Sequence, residues 1–145
     1  MNILKVGDGP FTRSNVGIIQ ELFGKTVDKN RRGGGVYKIK ENKFVSFIYL
    51  AIQQPNGNWT LPPEAPSNCW INKPNSNNSE FIRECYKENF KKRFTDPKDE
   101  YAIFIKKRRS ECSFYGIFKF KEEKRDYIEC IFELINNELN FEEWN

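Results

Sequence analysis

Residues 30–51 constrain the fold of this chain more than any other stretch. They contain two apolar runs, residues 36–39 and 44–51, on either side of the polar, turn-like residues 40–43. Apolar runs of this kind around a short turn predict a β-hairpin. The second run is apolar on both faces, which is typical of a strand that lies inside a barrel or beneath a helix.

A basic, glycine-rich loop leads into this hairpin. Arg31 and Arg32 are followed directly by Gly33, Gly34 and Gly35. Glycine lets a backbone approach a ligand closely because it has no Cβ. Arginine supplies a planar, permanently charged fork that suits a phosphate or a base edge. We therefore interpret the loop as a binding site that the hairpin carries.

Two helices and three further strands are predicted around the hairpin. Apolar residues recur at helical spacing in residues 16–23 and 80–94. Gly24 is the predicted end of the first helix, and the last ten residues are expected to form a short helix or a docked tail. Alternating apolar residues predict strands over residues 101–105, 113–120 and 127–135.

These elements predict an α+β fold in a single domain over residues 1–145, which is the usual domain count for a chain of 145 residues. Five or six strands are too few for two full sheets. Strands with two apolar faces favour a small curved or closed mixed β-barrel of five to six strands, flanked by two helices.

The composition excludes several functions. The chain has no histidine, which removes imidazole-based catalysis and the commonest transition-metal ligand. Its four cysteines lack the short spacing of a zinc or redox motif, and Val36 stands after Gly35 where a phosphate-binding loop needs lysine. We expect no enzyme activity, no cofactor and no metal. With no signal-like or membrane-spanning apolar segment, we expect a cytoplasmic protein without a membrane partner.

The arrangement of cations and aromatic rings favours binding to nucleic acid. Nucleic-acid recognition needs cations that contact phosphate and planes on which an exposed base stacks. A solvated surface for the basic clusters, and a core position for Trp59 and Tyr49, are the alternatives. The phosphate-contact candidates are Arg31, Arg32, Lys106, Lys107, Arg108 and Arg109, and the stacking candidates are Tyr37, Tyr49, Trp59 and Trp70.

The order of several short motifs resembles a known family. A helix that ends on residues 21–24 is followed by Gly33-Gly34, by residues 40–45, and by the apolar runs 101–105 and 114–120. This order resembles the modified-cytosine-sensing modules, related to SRA and PUA-like domains, that are found beside nuclease domains in restriction enzymes.

The resemblance implies a PUA-like, non-catalytic DNA-binding module that flips a methylated or hydroxymethylated base into a barrel pocket. Trp59 or Trp70 would sandwich that base while the arginines hold the flanking phosphates. A nuclease domain or a partner protein would act with the module. Where the family often carries a Tyr-Thr-Gly-type loop, residues 56–61 read Asn-Gly-Asn-Trp-Thr-Leu.

Two other functions remain open. A protein-binding module or inhibitor encoded by a mobile element would use the aromatic, proline-rich loop 53–78 as its anchor, because tryptophan and tyrosine are enriched in binding hot spots. In that loop, Asn56-Gly57 is predicted to form a tight turn that brings Trp59 back along the preceding strand. An RNA-binding domain of the same architecture is the other alternative, although DNA is the favoured partner.

Overall fold

The computed structural model describes residues 2–27, 35–65, 71–84, 95–124 and 129–145. Strands dominate these ranges, and the two helices in them are short. The strands are β1 (Ile3–Lys5), β2 (Val36–Lys40), β3 (Lys43–Ile48), β4 (Ile52–Gln53), β5 (Trp59–Thr60), β6 (Ile71–Pro74), β7 (Glu80–Glu84), β8 (Glu100–Arg108), β9 (Glu111–Lys124), β10 (Glu129–Asn136) and β11 (Glu138–Asn140). The helices are α1 (Asn15–Phe23) and α2 (Phe141–Trp144).

The main element is a seven-stranded mixed sheet with the order β2-β3-β8-β9-β10-β7-β6. Its neighbouring strands are antiparallel except for β3 and β8, which run parallel from Lys43 opposite Glu100 to Ile48 opposite Ile105. Strands β1 and β11 form a two-stranded sheet, and β4 and β5 form another. The predicted hairpin and the predicted meander are therefore confirmed as β2–β3 and β8–β9–β10.

The predicted α+β fold with a small barrel of five to six strands is wrong, because the chain is mostly β and its seven-stranded sheet is open. The sheet does curve, since Leu50, just beyond β3, forms an isolated parallel bridge with Asn72 of the far-edge strand β6. One bridge does not make a continuous ladder, and β2 continues the sheet past β3. The two apolar faces that suggested a barrel are those of an open, curved sheet with an apolar cluster on each face.

The predicted helix over residues 80–94 is also wrong where the structure describes it. Glu80–Glu84 is the strand β7, which pairs antiparallel with β10. In this stretch Phe81 and Arg83 are buried and Ile82 is half-buried, so the residues satisfy strand alternation as well as helical spacing. Residues 85–94 lie outside the described ranges.

Apolar side chains pack on both faces of the main sheet. On the outer face, α1, α2 and the β1–β11 pair cover β3, β8 and β9. The outer cluster includes Leu4, Ile18, Ile19, Phe23, Val45, Phe47, Phe104, Phe114, Leu139 and Trp144. On the inner face the cluster includes Val36, Ile48, Phe81, Tyr101, Ile103, Tyr115, Phe118, Cys130 and Phe132.

Helix α1 begins and ends where the sequence predicts. The Ser14 side chain accepts a hydrogen bond from the Gly17 N–H at 3.2 Å, and Gly24 closes the helix in the left-handed conformation with φ 65°. At the C-terminus, α2 confirms the predicted short helix, with Trp144 packed against Phe23. Neither helix has the length and apolar character that would let a described helix cross a membrane.

Candidate nucleic-acid interface

Two predicted binding segments attach to the fold at the end of β3 and just beyond it. The Gly35 carbonyl accepts a hydrogen bond from the Phe47 N–H at 2.9 Å, and the Asn72 carbonyl accepts one from the Ala51 N–H at 2.9 Å. Residues 47–51, which we call the β3 end segment, therefore contact both the last residue of the arginine–glycine loop and the strand that follows Trp70. The two segments are therefore attached four residues apart along the same stretch of chain, at Phe47 and Ala51.

Gly35 is the one residue of the glycine run that the structure describes. Its φ is +84°, and an added Cβ would lie 2.9 Å from the Phe47 carbonyl oxygen. Only glycine accepts this conformation and this close approach without strain. The end of the loop is therefore fixed tightly against the β3 end segment.

Lys106 lies next to Tyr49 of the β3 end segment. The Lys106 Nζ is 5.8 Å from the centre of the Tyr49 ring, and it donates a hydrogen bond to Asn15 Oδ1 at 3.1 Å. Tyr49 is 8% exposed, so its ring would have to become uncovered before a base could stack on it. Lys106 links the end of β8 to the start of α1.

The other cations of the predicted cluster are at the tip of the β8–β9 hairpin. Lys107 and Arg108 end β8, Arg109 lies in the turn, and all three are exposed. Their placement leaves them accessible to a large polyanion.

The remaining stacking candidates that the structure describes lie on two different elements. Trp59 is half-buried in the small β4–β5 hairpin, where it pairs with Gln53 as the predicted return of the chain requires, although the turn itself closes between Gln54 and Gly57. Tyr37 is half-buried and packs edge-on against Phe47 with ring centres 6.0 Å apart. Arg31, Arg32, Gly33, Gly34 and Trp70 lie outside the described residues, and their roles remain predictions.

The inner face contains buried polar side chains that the sequence reasoning did not identify. Ser46, Asn72 and Arg83 are all buried, and their strand positions place them on the face that carries the inner cluster. Arg83 Nε donates a hydrogen bond to Asn72 Oδ1 at 2.9 Å. The guanidinium carbon of Arg83 lies 5.3 Å from the centre of the Phe132 ring, within the range of a cation–π contact.

Aromatic contacts show that the inner face is concave. Tyr101 of β8 and Phe132 of β10 meet edge to face with ring centres 5.9 Å apart, although β9 lies between their strands. Phe81 of β7 and Phe118 of β9 have ring centres 5.1 Å apart, although β10 lies between their strands. Side chains of non-adjacent strands touch in this way only where a sheet curves towards them.

Two tyrosine hydroxyls on this face stay protonated at neutral pH. Burial raises the pKa of Tyr115 to about 12, and its hydroxyl donates to Asn78 Oδ1 at 3.1 Å. Burial also raises the pKa of Tyr101, and the nearby Asp99 carboxylate raises it further while the charge of Arg83 opposes the change. Both hydroxyls therefore remain neutral hydrogen-bonding groups.

No sequence signal marked Arg83 as buried. The helix predicted over residues 80–94 would turn Arg83 away from its apolar side and towards solvent, and the burial of Arg83 shows that this placement is wrong. Only the pairing of β7 with β10 and β6 turns Arg83 inward.

An acidic depression lies at the opposite end of β9 from the hairpin tip. It has a volume of about 360 Å³ and is lined by Thr95, Phe120, Glu122 and Glu123. The Phe120 ring is edge-on to Phe132 with centres 6.1 Å apart. Carboxylates at this place repel phosphate, so they disfavour the DNA backbone here.

Comparison with solved structures finds a likeness in fold. No protein-family model matches the chain, and no curated protein matches it. A structure described as the 5-hydroxymethylcytosine-specific restriction enzyme AbaSI aligns with a TM-score of 0.62 over 96% of this chain. The two sequences are 14% identical.

The chain shares its fold with part of that enzyme. The alignment spans 42% of the enzyme's chain, so this chain is less than half as long as the protein it resembles. What the two share is the fold, and the solved protein is described as a restriction enzyme.

Proposed function

We propose that this chain is a DNA-binding module that reads a methylated or hydroxymethylated cytosine. The observation that carries the proposal is that Gly35, which follows the two arginines in sequence, and Asn72, which follows Trp70, both hydrogen-bond to the β3 end segment. The fold likeness to an enzyme specific for 5-hydroxymethylcytosine supports the choice of base. The exposed cations of the β8–β9 hairpin support a polyanionic partner.

In the proposed mechanism, the target base leaves the duplex stack and enters the module. Extruding a base costs a few kcal/mol, which stacking and hydrogen bonds in the binding site must offset. Trp70 or Trp59 supplies the stacking plane, worth about 1–3 kcal/mol per base. Arg31 and Arg32 contact the phosphates on either side of the extruded nucleotide.

The proposed role is binding without catalysis. The chain has no histidine to serve as a general base. Incubating the protein with hydroxymethylated plasmid DNA and Mg²⁺ should leave the DNA intact. Nicking that increases with protein concentration would contradict this part of the proposal.

Duplexes that differ at one cytosine test the proposal. Plain, methylated and hydroxymethylated duplexes are titrated at about 50 and 200 mM salt, with 2-aminopurine beside the target base to report unstacking. We expect tighter binding to a modified duplex, a rise in 2-aminopurine fluorescence, and steep weakening with salt. Equal affinity for all three duplexes would contradict base reading.

Tryptophan variants locate the stacking plane. Trp70→Ala should reduce the preference for the modified duplex, whereas Trp70→Phe, which keeps an aromatic plane, should retain most of it. The same pair of substitutions at Trp59 tests the other candidate. Equal loss on every duplex would count against a stacking role for that ring.

Salt dependence and an RNA control separate the proposal from its alternatives. An apolar protein interface barely responds to salt, whereas phosphate contacts weaken steeply as salt rises. Absence of duplex binding at low salt would favour a protein-binding module with loop 53–78 as its anchor. Tighter binding to an RNA of the same sequence would favour the RNA-binding alternative.

A further inference from the structure

We infer that Arg13 and the tip of the β8–β9 hairpin form one surface that contacts the sugar–phosphate backbone of duplex DNA. The surface consists of Arg13, Lys107, Arg108 and Arg109, and we call it the hairpin-tip surface. The hairpin cations are consecutive in the sequence, whereas Arg13 is distant in sequence and its segment packs against the hairpin only in the folded chain. This inference rests on the proposed DNA-binding function and assigns the face that meets the duplex.

Contacts on both sides of Arg13 hold its segment against the hairpin. Phe11 and Cys112 exchange backbone hydrogen bonds of 2.7 and 3.0 Å. Two residues after Arg13, Asn15 accepts a hydrogen bond from Lys106 Nζ at 3.1 Å. Because Lys106 pairs with Cys112 across the hairpin, both contacts reach the same rung of β8 and β9.

The Arg13 side chain lies along the first turn of α1. Its Cβ and Cδ are 3.3 and 3.6 Å from the point where a Cβ on Gly17 would be, so the absence of a side chain at Gly17 leaves room for it. Its Nε contacts Glu21 Oε2 at 3.3 Å, and the side chain is still 64% exposed. The guanidinium is therefore held at the surface with further N–H donors directed to solvent.

The pair with Glu21 does not prevent phosphate binding. Both side chains are more than two-fifths exposed, and an exposed ion pair contributes less than about 1 kcal/mol. A phosphate offers arginine a bidentate, charge-assisted hydrogen bond that is stronger than such a pair. Removing the Glu21 charge should consequently strengthen DNA binding.

The distribution of charge favours the hairpin-tip end of the main sheet as the end that contacts DNA. The hairpin tip carries Lys107, Arg108 and Arg109, with Glu111 opposite Arg108. About 35 Å away along β9, at roughly 3.3 Å per residue, carboxylates line the acidic depression. The cations at the tip attract a polyanion, whereas at the other end lysines and glutamates are interspersed along β9 and the charges are mixed.

Variants that each remove one charge test the surface. Arg13→Gln and Arg109→Gln are compared with Lys98→Gln, a matched control at an exposed position in the turn before β8. The readout is the slope of log K against log salt for plain and hydroxymethylated duplexes. We expect each surface variant to make the negative slope shallower by about 0.9. The preference for the modified base should not change. Lys98→Gln should leave the slope as in the unchanged chain, and Glu21→Gln should tighten binding.

The outcomes separate this inference from the proposed function. Unchanged slopes in Arg13→Gln and Arg109→Gln, with base preference intact, would overturn the surface and leave base reading standing. Reduced slopes in a protein that shows no base preference would support the surface and contradict base reading. If Lys98→Gln reduced the slope as much as Arg13→Gln and Arg109→Gln do, the surface would be overturned, because the effect would then follow net charge alone. Absence of duplex binding at low salt would overturn both.

Discussion

Replacing Asn72 with alanine tests whether the buried pair on the inner face stabilises the fold. Asn72 is 3% exposed and Arg83 is 7% exposed, so water cannot readily take the place of the Asn72 Oδ1 acceptor. A hydrogen bond to a charged group contributes about 1.5–3 kcal/mol, and the deleted amide also leaves a small void. We expect Asn72→Ala to lower the free energy of unfolding by about 2–4 kcal/mol.

The measurement is urea unfolding followed by fluorescence, with melting as a second readout. A loss of this size corresponds to a fall in melting temperature of roughly 5–15 °C. Asn58→Ala is the control, since Asn58 is exposed between β4 and β5 and surface changes usually stay within about 0.5 kcal/mol.

A double-mutant cycle with Arg83→Met isolates the pair. Methionine fills a similar volume without a charge, so losing Asn72 should cost much less in the Arg83→Met background. A cost for Asn72→Ala below about 0.5 kcal/mol would refute the reasoning, as would additive effects of the two substitutions.

Three smaller predictions test the backbone, a cap and buried acids. Gly35→Ala should destabilise the fold more than Gly24→Ala in urea unfolding, because both have positive φ but only Gly35 also has a carbonyl where the Cβ would lie; equal costs would contradict the close approach. Ser14→Ala should lower the free energy of unfolding by about 1 kcal/mol and Ser14→Asn by much less, because the side chain caps α1; equal losses would contradict the capping role. Burial raises the pKa of Tyr115 and of Cys112 to about 12. The folded state thus holds these protons more tightly than the unfolded chain, so stability should be constant below about pH 8.5 and fall from there towards pH 12. A stability that rises with pH in this window would contradict the assignment.

Local patterns in the sequence predicted the elements that depend on local contacts. Helix α1 has its cap residues within its own segment, and the β8–β9–β10 meander is built from consecutive strands. The period of apolar residues and the identity of the turn residues suffice for such elements. Their bounds were short by a few residues at several ends, as with β8, which continues to Arg108.

Long-range pairing could not be predicted in the same way. Strands β3 and β8 lie side by side although 57 residues separate Lys43 from Glu100, whose side chains form an ion pair of 2.7 Å. No local sequence pattern specifies this parallel register, and no local pattern decides between helix and strand for Glu80–Glu84. The inward position of Arg83 depends on these pairings and so could not be predicted either.

The same difference between local patterns and long-range contacts decides which parts of the candidate interface could be predicted. Clustered cations at the hairpin tip were visible as a run of charges, and the structure shows them exposed. Arg13 is a single cation in its segment, so only the hairpin contacts of Phe11 and Asn15 on either side of it associate it with the cluster. Tyr49 matched an aromatic pattern, but its burial follows from the packing of β3, which composition does not reveal.

The central claim is that the module distinguishes a modified cytosine within duplex DNA. Its most direct test is a competition experiment in which one labelled hydroxymethylated duplex is displaced by unlabelled plain, methylated or hydroxymethylated duplex at a fixed salt concentration. We predict that a modified competitor displaces the label at roughly a tenth, or less, of the plain duplex concentration, as a favourable contact of about 1.4 kcal/mol requires. Displacement by all three duplexes at the same concentration would contradict the account.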